Sequence, residues 1–163
     1  MTQRVVAFAD IPSLVGETVV GETFSLTRED QLAFEKATWV DRAYPDPDPP
    51  EFPEDVVEGF FLLSLLDALT RMALLFDPET CWALNYGLDR VRFVSELSMG
   101  DRIVPSFEIL SVREKNEGYL VLKRCTLSKE GASRPGMVAD WLAYISPRKQ
   151  AGGADSEIAD ESQ

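Results

Sequence analysis

The sequence predicts an α+β domain in which one long central helix is wrapped by a curved antiparallel β-sheet. Three observations predict it. The run Glu54–Phe76, EDVVEGFFLLSLLDALTRMALLF, is apolar after Glu58 except for Asp67 and Arg71. The segments after residue 81 read as four or five strands separated by turn residues, and Arg90–Ser95 alternates cleanly. The chain has 163 residues, 45% hydrophobic and 27% charged, which suits one domain with a real core. A helix apolar on all sides is either enclosed by protein or spans a membrane. Two charges and a length near the lower limit exclude a span, so the helix is expected at the centre of the core. Asp67 and Arg71 stand four apart and can pair on one face.

Residues 1–18 are loosely patterned, with Pro12 and Gly16 as punctuation. Thr18–Leu26 has strand character with a bend at Gly21. Thr27 begins a helix, with Asp30 three residues later completing a capping box, and Leu32, Phe34 and Ala37 supply its apolar spacing. Trp39–Pro53 holds five prolines and reads as a loop rich in carboxylates, among them Asp41 and Asp46. The central helix follows, with Glu54, Asp55 and Glu58 in its first turns, where free N–H groups favour negative charge. Gly59 lets a ligand approach the backbone closely there.

Asp77-Pro78-Glu79 is a turn. Trp82–Asn85 is a short strand, Tyr86–Asp89 a connector, and Arg90–Ser95 a strand with Val91 and Phe93 on one face and Arg90 and Arg92 on the other. Met99-Gly100-Asp101 turns into a strand over Arg102–Arg113, with Pro105 at an edge or bulge. Lys115–Gly118 is a hairpin turn into the strand Tyr119–Ser128, and Gly136–Ser146 is the last strand. Residues 1–149 form the single domain; 150–163 is an acidic tail, expected to be disordered. The exposed edges of such a sheet are met economically by pairing across a dimer axis.

Net charge is −12, from 28 acids against 16 bases. Acids dominate as far as residue 88, whereas residues 89–149 carry more bases than acids. This disfavours nucleic acid as a partner but leaves local Arg and Lys for a phosphate-bearing ligand. Residues 1–9 do not read as a secretory signal, no membrane anchor is expected, and a cytoplasmic protein is the simplest reading. Cys81 and Cys125 give neither a disulfide framework nor metal spacing. No histidine is present, which removes Ser-His-Asp and Cys-His arrangements and imidazole zinc sites. No metal or resident cofactor is expected.

Asn85-Tyr86-Gly87, Val91-Arg92-Phe93 and Met99-Gly100-Asp101-Arg102 resemble a segment of MaoC-like hot-dog dehydratases and (R)-specific enoyl-CoA hydratases, closest to the nodulation-N-like branch. Glu58–Leu66 resembles the start of that family's central helix, and Pro135–Ala139 its late strand. The likeness covers about residues 15–147. It implies a hot-dog fold, a homodimer, and acyl thioesters of coenzyme A or acyl carrier protein as ligands, so that the only carrier group is the substrate's own phosphopantetheine. Typical members hydrate enoyl thioesters or dehydrate 3-hydroxyacyl thioesters, using an Asp and, five residues later, a His. Asp41 fits that Asp, but Asp46 stands where the His belongs. Gly59 fits the glycine whose N–H meets the thioester carbonyl, and Glu58 replaces a frequent His before it.

The expected acid–base groups are therefore Asp41, Asp46 and Glu58. Two carboxyls held close cannot both ionise easily, so one can carry a proton near neutral pH. Gly59, Phe60, Asn85, Tyr86 and Arg92 are the expected substrate contacts; a solvated acidic loop and ordinary core packing account for the same residues without chemistry. Three functions compete: a hydratase or dehydratase with an altered acidic dyad, an inactive subunit completing a heterodimer with a catalytic relative, and a hot-dog thioesterase.

Overall fold

The structure, a computed structural model, describes residues 3–43, 53 and 55–148. In chain order these form β1 (Arg4–Val6), a 3-10 segment (Phe8–Leu14), β2 (Thr18–Val20), α1 (Arg28–Thr38), α2 (Val40–Ala43), α3 (Gly59–Ser64), α4 (Leu66–Ala73), β3 (Leu74–Phe76), β4 (Cys81–Phe93), β5 (Ile103–Lys115), β6 (Gly118–Lys129) and β7 (Met137–Pro147). A five-stranded sheet runs in the order β2-β5-β6-β7-β4 with antiparallel pairing throughout, and β1 pairs with β3 in parallel. Asp46, Glu54 and the acidic tail at 150–163 lie outside the described residues. Among the described residues no helix is long and apolar enough to cross a membrane.

Strands β5 to β7 follow from simple alternation. Phe107, Ile109, Val121, Cys125, Leu127, Ala139, Ala143 and Ile145 all point to one face and are buried. A two-residue turn joins β5 to β6, with Asn116 at φ 52°. Pro105 sits where β2 leaves β5: Val20 still pairs with Ser106, Gly21 N donates to Pro105 O, and the chain rejoins at the Phe24–Ile103 bridge. The missing N–H of Pro105 faces that gap and forfeits no ladder bond.

The central helix differs from expectation. It starts at Gly59, not Glu54, and is broken at Leu65 into α3 and α4. It ends at Ala73, because Leu74–Phe76 leave the helix to pair with Arg4–Val6. It is not buried all round either. Phe61, Leu62, Leu66 and Thr70 face the sheet, whereas Phe60 and Met72 are 74% and 70% exposed. Arg71 Nε does donate to Asp67 Oδ1, at 3.0 Å.

Two further expectations are corrected. The short strand, connector and strand expected over 82–95 are one 13-residue strand, β4, which absorbs irregularities between Asn85 and Gly87 and between Asp89 and Arg92. On α1 the capping box of Thr27 and Asp30 forms, but Leu32 is half exposed and Gln31 is buried in its place. Phe34 turns inward and stacks on Phe61 at 4.9 Å.

The core has two parts. One packs α3 and α4 against Phe107, Cys125, Leu127, Met137, Ala139 and Trp141. The other packs Val6, Ile11, Leu14 and Leu74 against Ile109, Val121, Ala143 and Ile145. Lys123 lies at the seam, opposite Ile109 on β5 and Trp141 on β7. On the other face of the sheet Asp140 is buried, held by Arg124 through Nε at 2.9 Å and Nη2 at 3.2 Å and by Arg90 Nε at 3.0 Å.

Candidate active site

The site is built where the chain enters α3. Residues 55–57 run alongside the turn after β4: Met99 N donates to Asp55 O at 2.7 Å and Val57 N to Leu97 O at 2.8 Å. That turn is itself fixed. Gly100 takes φ 80°, Ser98 N donates to Asp101 Oδ2 at 2.9 Å, and Lys129 pairs with Asp101 at 2.6 Å. Burial opposes the charged form of Asp101, but Lys129 and the Ser98 N–H outweigh it and hold its pKa below the ordinary value. Leu97 fills the space beside Gly136, where a Cβ would come within 2.3 Å of it. The Gly100-Asp101 motif thus serves to seat the strand of chain that delivers Glu58.

Glu58 is the N-cap residue of α3 and is half buried. Gln31 of α1, 3% exposed, holds it from both sides. Gln31 Nε2 donates to Glu58 Oε1 at 2.8 Å, and Glu58 N donates to Gln31 Oε1 at 3.4 Å. The Thr27 capping box fixes the first turn of α1 and so places Gln31. Next comes Gly59, whose N–H has no acceptor within the helix it opens. The Phe93 ring lies against its Cα: a Cβ there would be 2.8 Å from Phe93 Cζ. Glu58, Gly59, Phe60, Phe93 and Leu97 line one open cavity of about 640 Å³. That is the size range of small-molecule clefts.

The expected site residues are only partly gathered. Glu58, Gly59 and Phe60 share the cavity. Asp41 is exposed on α2, does not line that cavity, and has no ion pair among the described residues. Asp46, its expected partner, is outside the described residues. Asn85 and Tyr86 line a separate groove with Leu63, Ser64 and Asp67. The Tyr86 hydroxyl is engaged by Lys115 Nζ, which also lies 4.3 Å from its ring centroid. Arg92 is exposed and, among the described residues, bonds only the neighbouring Val91 carbonyl, at 2.7 Å. Arg90 is committed to Asp140. Gln31 and Phe93 were not among the expected site residues. An amide where the helical spacing calls for an apolar side chain was the one trace of Gln31.

No family model matches the chain. Nodulation protein N of Rhizobium leguminosarum bv. viciae is 34% identical over 91 residues, 55% of this chain and 56% of that protein. The chain therefore spans little more than half the length of that relative. A 3-hydroxyacyl-thioester dehydratase Z of Mycobacterium tuberculosis is 28% identical over 142 residues, 81% of this chain and 91% of the relative. Among solved structures, the MaoC-like dehydratase from Rhodospirillum rubrum superposes with a TM-score of 0.63 at 11% identity, covering 83% of this chain and 94% of that one. The chain has the hot-dog fold. A second structural neighbour is a chain of the C-terminally truncated HadBC (3R-hydroxyacyl-ACP dehydratase) complex from Mycobacterium tuberculosis. Its TM-score is 0.59 at 17% identity, over 82% of this chain and 97% of that one. In this fold the helical rod of α3 and α4 lies against the curved sheet, and the Glu58–Gly59 junction sits at the rod's entry.

Proposed function

We propose that this chain binds acyl thioesters of coenzyme A or acyl carrier protein and adds water to, or eliminates it from, an enoyl/3-hydroxyacyl pair. The observation that carries this reading is the clasp of Gln31 on Glu58, which fixes a carboxylate immediately before Gly59 inside an open cavity. The thioester carbonyl oxygen accepts from the Gly59 N–H, where charge develops as the enolate forms. Glu58 takes a proton from water as the water oxygen bonds to the β-carbon, then returns that proton to the α-carbon. The sum is the addition of one water, and a single carboxyl group serves both transfers without histidine. Asp41, on α2, and Asp46 are further acid–base candidates from the segment that precedes the cavity in sequence.

A second reading, a subunit that completes a heterodimer with a relative, is favoured by β4. It is an edge strand that exposes Trp82, Leu84, Tyr86, Leu88 and Phe93 along its length. A row of this kind is covered in stable proteins, by a second copy or by a relative. The site is expected to operate in the cytoplasm, where such thioesters are made.

The test is turnover of the purified protein with enoyl, 3-hydroxyacyl and saturated acyl thioesters, read by intact mass of the product. Gain or loss of one water, abolished in Glu58→Gln, supports the proposal. Loss of the acyl group identifies a thioesterase. A folded protein that leaves every thioester unchanged, alone and with a relative added, overturns it.

A further inference from the structure

Lys123 is the least expected residue in the core. It is 2% exposed, faces the helical rod from the middle strand of the sheet, and has no ion pair among the described residues. Its Nζ lies 3.6 Å from the ring centroid of Trp141. A ring face steadies an ammonium but supplies no hydrogen-bond acceptor. Thr70 stands on α4, 4% exposed, and its Oγ1 is buried with no hydrogen-bond partner among the described residues. Native structures seldom leave such groups unsatisfied. Both residues line one cavity of about 220 Å³, whose remaining wall includes Leu74, Trp82, Asn85 and Trp141. The other charges there are Asp67 and Arg71, which neutralise each other, and Arg148 at the end of the sheet.

We infer that this cavity binds a carboxylate, its oxygens meeting Lys123 Nζ and Thr70 Oγ1 and its short hydrocarbon chain lying against Leu74 and Trp141. Arg148 is exposed at the rim, so the buried wall offers one ammonium and one hydroxyl, which match a monoanion; a phosphate dianion would bring a second charge that no buried cation of the wall balances. The apolar remainder of the wall matches a chain of a few carbons. The carboxylate comes either from a free short-chain acid or from the far end of an acyl chain. The second source is open because the cavity shares Asp67, Asn85 and Trp141 with the groove that runs beside Leu63 and Ser64 towards the entry of the rod. None of Gln31, Glu58 and Gly59 takes part, so with a free acid as the source the inference stands apart from the proposed reaction; with the acyl chain as the source it rests on the proposed thioester ligand.

Burial pulls the Lys123 pKa down to about 8, with Cys125 and Asp67 supporting the charged form and Arg71 opposing it. The ammonium is thus present at neutral pH and lost not far above it. Besides these groups, Cys81 of β4 and Arg148 face the cavity.

The test is calorimetric titration of the full chain at pH 7 with hexanoate and hexan-1-ol, and with adipoyl- and hexanoyl-pantetheine. Each pair differs in the terminal carboxylate. Saturable binding of hexanoate but not hexanol supports the inference with a free acid as the source. Binding of adipoyl-pantetheine well above hexanoyl-pantetheine, without hexanoate binding, supports it with the acyl chain as the source. Lys123→Met keeps the side-chain length and removes the buried charge, so it folds; it is expected to weaken either interaction by about tenfold or more, and Thr70→Val by several-fold. Binding is also expected to fall as pH rises past about 8. If no carboxylate exceeds its neutral counterpart, or if Lys123→Met binds as well as the wild type, the inference fails.

Discussion

Gln31 and Glu58 hold each other by two hydrogen bonds, side chain to side chain at 2.8 Å and backbone to side chain at 3.4 Å, across the gap between α1 and α3. Replacing Gln31 by Leu removes both and leaves an apolar group against a half-buried carboxylate. We expect a loss of about 1–3 kcal/mol in denaturant unfolding. In the hydration assay kcat should fall while KM changes little, because the groups contacting the thioester remain. An unchanged kcat would separate Gln31 from the chemistry.

Gly59→Ala sets two effects of opposite sign against each other. An alanine in a helix is favoured over glycine by about 1 kcal/mol. Its methyl group would meet the distal atoms of the Phe93 ring, which is half exposed and free to swing aside. Stability should therefore change by less than about 1 kcal/mol. The displaced ring and the methyl group alter the entry to the helix, so turnover should drop several-fold even so. Thermal melting and turnover measured on the same sample separate the two.

Lys123 makes stability depend on pH in a specific window. Its pKa in the folded protein is about 8, below the ordinary 10.5. Between those values the unfolded chain binds more protons than the folded one, so stability rises with pH. Cys125 acts in the opposite sense, because burial pushes its thiol from 9.0 up to about 11. Cys81 is also raised, mainly by burial. Above pH 9 the thiols therefore reduce stability as pH rises, and the lysine effect is unopposed between about pH 8 and 9. Urea unfolding midpoints across this range should increase for the wild type. They should stay flat for Lys123→Met, which is expected to be the more stable of the two at pH 7 because it buries no ammonium.

Asp140 offers an asymmetric prediction. Its carboxylate is 1% exposed, while the Arg90 and Arg124 side chains that hold it are 73% and 39% exposed. Removing either arginine alone leaves one partner in place, so each single replacement by Met should be mild. Removing both strands a buried Asp140 carboxylate and should cost about 3–5 kcal/mol, far more than the two single losses together. A double-mutant cycle by chemical denaturation measures the excess.

Strands β5, β6 and β7 were legible in the sequence because each pairs with the next one along the chain. Turn residues bounded β5, β6 and β7, and Lys115–Gly118 marked the hairpin. The capping box of Thr27 and Asp30 was legible because it too is local. Leu74–Phe76 misled because an apolar tripeptide after a helix continues it unless something far away competes, and here Arg4–Val6 does. Leu32 misled because α1 turns its Gln31 face inward to meet Glu58, a partner 27 residues on. At the site, Glu58 and Gly59 were legible as neighbours at a helix start. Lys123 falls on the buried parity of β6, but a lysine in an alternating strand reads as solvent-facing. Only the register that sets it opposite Trp141 and below Thr70 gives it a place.

The position of β4 has a consequence for how the chain is made. It leaves the ribosome before β5, β6 and β7, yet its sole partner in the sheet is β7, the last strand to appear. The helical rod likewise precedes the strands that cover it. During synthesis, Phe61, Leu62 and Leu66 on the rod and Cys81 on β4 wait uncovered until residue 147 has emerged. The nascent chain is thus a natural client for holding chaperones, and its yield should depend more on them than the stability of the finished fold would suggest.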